Sequence, residues 1–121
     1  VTSTGKFRCE IVKADASVMQ YSSADALLTF GTAVILELAY DGGTITNVPT
    51  LKVNGTAHAL TLTSGVQSGT RKSEAGTTAI GGHNSANNLR GLIVEYVKIA
   101  DVADHSDERQ RLGTLYGISV I

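Results

Sequence analysis

Tryptophan is absent from this 121-residue chain, and cysteine, proline and methionine occur once each. A single cysteine, Cys9, excludes an internal disulfide and any multi-cysteine metal site. No uninterrupted apolar stretch approaches the roughly 20 residues of a membrane span. The longest, residues 33–40, is broken by Glu37. Charge of one sign is also lacking. A net charge of -1 exerts no bulk pull on nucleic acid or an anionic membrane, so neither partner is expected. With 42% hydrophobic and 17% charged residues, the composition is that of a folded chain and not a disordered one. No leader pattern opens the chain, and its first residue is Val1 instead of Met, so a processed product or a piece of something longer is expected.

What is present is turn chemistry. Thirteen glycines, with many Ser and Thr, punctuate short apolar runs, the texture of an all-β domain. Phe7, Cys9 and Ile11 alternate with Arg8 and Glu10, which predicts a half-buried strand. Val34, Leu36, Leu38 and Tyr40 are expected on one face of a second strand that ends at Asp41-Gly42-Gly43. Leu51-Lys52-Val53-Asn54-Gly55-Thr56-Ala57-His58 predicts a hairpin with a type I′ turn, both Asn54 and Gly55 at positive φ, and a second arm running on through Leu60 and Leu62. Residues 64–78 read as a polar loop, 78–80 as a short strand, and 91–99 as a central strand apolar on both faces. One helix is expected near the C-terminus, with Ser106 as N-cap, Asp107 and Glu108 in the first turn, Leu112, Leu115 and Tyr116 as its apolar face, and Gly117 at C′. Residues 117–121 are expected to run out as a terminal strand. No internal repeat or linker divides the chain, and at this length one domain is the simplest organisation.

In this order the motifs are similar to those of a known family. The segment Phe30-Gly31-Thr32-Ala33-Val34-Ile35-Leu36-Glu37-Leu38-Ala39-Tyr40-Asp41-Gly42 resembles the first conserved strand of concanavalin A-like, laminin-G-like domains. Leu51-Lys52-Val53-Asn54-Gly55 resembles their hairpin, and Ala79-Ile80-Gly81-Gly82 and Leu89-Arg90-Gly91-Leu92-Ile93-Val94-Glu95 resemble two later strands. Ser106-Asp107-Glu108-Arg109-Gln110-Arg111-Leu112 is similar to their closing helix. The family's tryptophan is Ala33 here, and fewer residues precede the first motif than family members have. The resemblance implies a two-sheet antiparallel β-sandwich, a concanavalin A-like jelly roll, with one short C-terminal helix. It also implies a role in binding glycans or proteins at an extracellular or virion surface.

Catalysis is not expected. Glycoside hydrolysis needs two carboxylates about 5–10 Å apart, and the glucan-cleaving relatives carry an E-x-D-x-x-E strand that this chain lacks. Glu37 and Glu95 each stand alone and read as outward-facing strand residues. His105, Ser106 and Asp107 are sequence neighbours and point in different directions, which is not triad geometry. His58, His83 and His105 lack zinc-ligand spacing, and His58 reads as a hairpin residue. Cys9 reads as a small buried hydrophobe.

The best contact loop is His83-Asn84-Ser85-Ala86-Asn87-Asn88-Leu89-Arg90. Asn84, Asn87 and Asn88 pair donors with acceptors as sugar hydroxyls require, His83 sits at the loop's start, and Arg90 can clamp an acid. The alternative is an ordinary connecting loop. No cofactor is required. The resemblance also allows calcium at the sandwich rim, with Asp41 in one turn and Asn84, Asn87 or Asn88 in another as ligands; the alternative is that these Asp and Asn residues are turn formers. The expected partners are a glycan or surface protein and, because few strands precede residue 30, neighbouring copies or segments of a parent chain. The expected function is thus a non-catalytic lectin-like attachment module, with a structural tail, fibre or capsid-decoration domain as the second possibility.

Overall fold

The computed structural model describes residues 5–29, 31–72 and 103–121. The expected strands at 78–80 and 91–99 lie outside these residues. Six strands and one helix are present among them: β1 (Arg8–Val12), β2 (Val18–Ser23), β3 (Leu36–Ala39), β4 (Thr50–Val53), β5 (Thr56–His58), β6 (Leu60–Ser64) and α1 (Ser106–Tyr116). They form two three-stranded antiparallel sheets, ordered β1-β2-β6 and β3-β4-β5. The all-β expectation with one C-terminal helix therefore holds.

Alternation places the core. In the first sheet Cys9 pairs with Tyr21 and Ile11 with Met19, so these four side chains share a face. Met19 and Tyr21 are fully buried. Leu51 and Val53 of β4 and Leu60 of β6 join Ile11, Met19 and Tyr21 in one cluster, against which Phe7, Val34, Tyr40 and Leu62 pack. The opposite face of β1-β2-β6 is polar apart from the Val12–Val18 pair: Glu10 accepts a hydrogen bond from its register partner Gln20 at 2.8 Å, and Thr61 donates to the Ser22 carbonyl. β2 has no counterpart among the expected strands, although Met19 and Tyr21 do alternate with Gln20 and Ser22.

The Asn54-Gly55 turn is as expected, with φ of 51° and 88°. The second arm is not. β5 ends at His58, and after Ala59 the chain crosses to the other sheet, where Leu60 pairs with Ser23 and Leu62 with Tyr21. Leu60 and Leu62 share the inward face of Tyr21 through this regular pairing, and a register irregularity between Gln20 and Tyr21 follows, where Gln20 pairs with Ser64. The expected 64–78 loop is partly ordered by β1: Ala14 N–H donates to the Thr70 carbonyl and Lys72 N–H to the Val12 carbonyl, both at 2.9 Å. Its residues 73–78 lie outside the described chain.

Three details of the C-terminal region correct the sequence reading. The N-cap of α1 is His105, whose side chain makes no cap hydrogen bond, and Ser106 is the first helical residue. Asp107 and Glu108 do occupy the first turn, and Gly117 does end the helix in the left-handed region at φ 65°. The apolar stripe is not the packing face: Leu115 is 58% exposed, whereas the buried helix residues are Arg109 and Gly113. The reason is that α1 lies over the outer, polar face of β3-β4, where Glu37 and Lys52 project. The tail forms no strand; it folds back over Gly113, whose missing Cβ would lie 2.8 Å from the Ile118 carbonyl oxygen and 2.9 Å from Val120.

Candidate functional site

The proposed contact residues His83, Asn84, Asn87, Asn88 and Arg90 lie outside the described residues. Asp41 lies within them, on the turn after β3. Its Oδ1 accepts the Gly43 N–H at 2.9 Å and its carbonyl accepts Asn47 Nδ2 at 3.0 Å, the Asx-turn geometry of a turn former. Among the described residues no group of three or more His, Cys, Asp and Glu side chains converges as a metal site would require. No helix among them is long and apolar enough to cross a membrane.

Among the described residues the densest polar constellation is one that no sequence motif assembles. Glu37 on β3 and Lys52 on β4 are direct register partners. Arg109 of α1 reaches down to them: its Nη1 donates to Glu37 Oε1 and Oε2 at 3.0 and 2.8 Å and to Asp104 Oδ1 at 3.0 Å. Lys52 Nζ donates to the same Asp104 oxygen at 2.7 Å. Arg109 Nε donates to the Ile121 carbonyl at 2.9 Å, and the Ile121 N–H donates to the Asn54 carbonyl at 3.2 Å. One buried guanidinium thus joins a strand, Asp104 two residues before the helix, and the tail.

The charges respond accordingly. Lys52 first, then Arg109, hold the Asp104 carboxyl well below its usual range, at about 2. Asp104, reinforced by Glu37, raises the Arg109 guanidinium further against the opposing effect of burial. Glu37 is therefore engaged with a cation, in keeping with its reading as an outward strand residue with a polar neighbour. No spacing rule could have found this set, because Arg109 and Glu37 are 72 residues apart.

A second polar group sits where the loops after β3 and β6 meet. Gln67 Nε2 donates to the buried Tyr21 hydroxyl at 3.0 Å and to the Thr46 carbonyl at 3.2 Å. The Tyr40 hydroxyl is buried and finds no partner among the described residues; burial raises its pKa, with Tyr21 as a lesser contributor. The Arg71 guanidinium lies against Gly42, where a Cβ would meet its Nε at 2.7 Å. On β1, burial and then Glu10 push the Cys9 thiol up to about 11, so it is protonated and unreactive near neutrality. His58 is a half-buried residue of β5 opposite Leu51, as read from the sequence.

Compared with known proteins, the chain matches no family model, no characterised protein and no solved structure.

Proposed function

We propose that this chain is a non-catalytic, lectin-like attachment module on a two-sheet concanavalin A-like sandwich, recognising a glycan or protein at an extracellular or virion surface. The observation that carries the reading is the apolar cluster that β1-β2-β6 and β3-β4-β5 share among the described residues, with the chain crossing between sheets after His58. Two antiparallel sheets with one common core are the elements of a sandwich. The motif resemblance then supplies the function, since a fold alone does not.

The non-catalytic part of the proposal is supported by Glu37. A general acid or nucleophile must be free to exchange protons or attack, whereas Glu37 is held by two hydrogen bonds from Arg109. Binding is proposed to lie with His83, Asn84, Asn87, Asn88 and Arg90. A glycan array probed with the chain tests this. Binding that is lost when Asn84, Asn87 and Asn88 are changed together to Ala supports it. A blank array, or binding indifferent to those changes, overturns it.

A second reading, a structural tail, fibre or capsid-decoration unit, is favoured by one observation. β3 lies at one end of the described sheet, and its Leu36 and Leu38 are 40% and 49% exposed although their register partners Val53 and Leu51 are buried. Exposed apolar side chains at the end of a sheet suit pairing with another strand. A blank array accompanied by a stable oligomer in sedimentation supports this reading over the first.

A further inference from the structure

The chain contains a single Asn-Gly pair, Asn54-Gly55. Asparagine before glycine carries its own chemistry. Glycine has no side chain to block its backbone nitrogen, which can attack the preceding carboxamide. Three elements bear on this turn. The Asn54 Oδ1 accepts the Ile35 N–H at 2.8 Å, and the Asn54 N–H donates to the Ile35 carbonyl at 2.9 Å. The Asn54 carbonyl accepts the Ile121 N–H. Gly55, at φ 88°, is walled in: a Cβ there would collide with the Ile121 carbonyl oxygen and lie 3.0 Å from Arg109 Nε.

We propose that Asn54 is a latent self-modification site, protected by the clasp of Arg109 and Ile121 over the turn and converted to aspartyl and isoaspartyl products when that clasp opens. In the first step the Gly55 nitrogen bonds to Asn54 Cγ and the Cγ–Nδ2 bond breaks. Ammonia leaves, carrying the proton of the Gly55 amide, and a five-membered succinimide remains. Water then adds to either imide carbonyl and opens the ring. One water is consumed and one ammonia released, with no change of oxidation state. In the closed protein the attack is blocked twice: the carboxamide is turned toward Ile35, and Gly55 has no room to move against Ile121 and Arg109.

The products matter to the fold. An isoaspartyl linkage adds a methylene to the main chain of a two-residue turn, which breaks the Val53–Thr56 and Leu51–His58 register. The clasp and the hairpin then fail together, so the modified chain does not return to the closed form.

Peptide mapping by mass spectrometry during incubation at neutral pH reads the amide loss at Asn54. The reaction proceeds from the opened form, so its rate follows the population of that form. The folded chain is expected to react at least about tenfold more slowly than the same chain in urea, a modest opening penalty. Equal rates overturn protection by the fold. Ile121→Pro removes the N–H that reaches Asn54 and is expected to speed the reaction while far-UV circular dichroism stays that of the folded chain. A folded Ile121→Pro that reacts at the wild-type rate overturns the role of the clasp. Should that variant not fold, a salt titration of the wild-type chain decides the same point. Salt screens the exposed rim of the cluster, where Asp104 holds Arg109 and is 56% exposed, so the rate must rise with ionic strength, and a flat response overturns the clasp.

Discussion

Arg109 and Glu37, 72 residues apart, are joined by hydrogen bonds of 3.0 and 2.8 Å to one guanidinium nitrogen. This pair explains how α1 is held. The helix brings no apolar stripe to the sheet; it brings a buried cation to a strand face that carries an acid and a lysine. The Arg109 side chain is 6% exposed, Glu37 27% and Asp104 56%, so the cluster is buried at its centre and wet at its rim. Removing its centre takes the guanidinium from Glu37 and leaves Asp104 with Lys52, and an acid deprived of its partner costs more than the cluster's net contribution.

Arg109→Gln is accordingly expected to destabilise the protein by about 2 kcal/mol, at the lower end for a partly buried pair because Glu37 and Asp104 can rehydrate. Urea denaturation measures the loss. Hydrogen exchange locates it: α1 and the tail should lose protection before β1, β2 and β6 do. Uniform loss across both sheets would show that the helix is not a separately held unit.

Asp104 gives the pH dependence. Its carboxyl lies at about 2 in the fold against an ordinary 3.8, so the contribution it makes is present above about pH 4 and lost as pH falls toward 2. Lys52 is the leading cause, so Lys52→Met should move the Asp104 titration back toward 3.8, as followed by carboxyl NMR. An unmoved titration would assign the shift to Arg109 alone.

Cys9 titrates in the other direction. With its thiol raised from 9.0 to about 11 by burial and Glu10, any stability linked to it is intact below pH 9 and lost as pH rises through 11. At pH 8 the folded chain should be alkylated about a hundredfold more slowly than the unfolded chain, the ratio of thiolate for two pKa units. Comparable rates would place Cys9 in water.

Gly55→Val should cost about 2 kcal/mol or more. The substitution meets a φ of 88° that β-branched residues avoid, and its side chain meets the Ile121 carbonyl and Arg109. A variant of wild-type stability in urea would mean that the tail does not rest on this turn.

The inner and outer apolar residues separate cleanly by alanine substitution. Met19→Ala, at a fully buried position, is expected to cost about 3 kcal/mol, and Leu38→Ala, half exposed, less than about 1 kcal/mol. The reverse ranking would place the core on the wrong side of β3.

The sequence by itself determined the local features. The Asn54-Gly55 turn, the end of α1 at Gly117 and the alternation of Cys9 and Ile11 follow from φ preferences and a period of two, which involve only a few adjacent residues. The acidic first turn of α1 was legible for the same reason. The expected site residues other than Asp41 fall outside the described chain, and at Asp41 the turn chemistry was legible in Asp41-Gly42-Gly43. What only the tertiary structure decided concerns partners far apart in sequence. The crossing after His58 depends on β2 offering Tyr21 and Ser23 as partners to Leu62 and Leu60. The packing face of α1 depends on Glu37 and Lys52 projecting from an outer sheet face, so a helix whose pattern presents Leu112, Leu115 and Tyr116 buries Arg109 instead. Periodicity names the side of an element that is apolar, but the surface it meets is set by which distant strand lies beneath it.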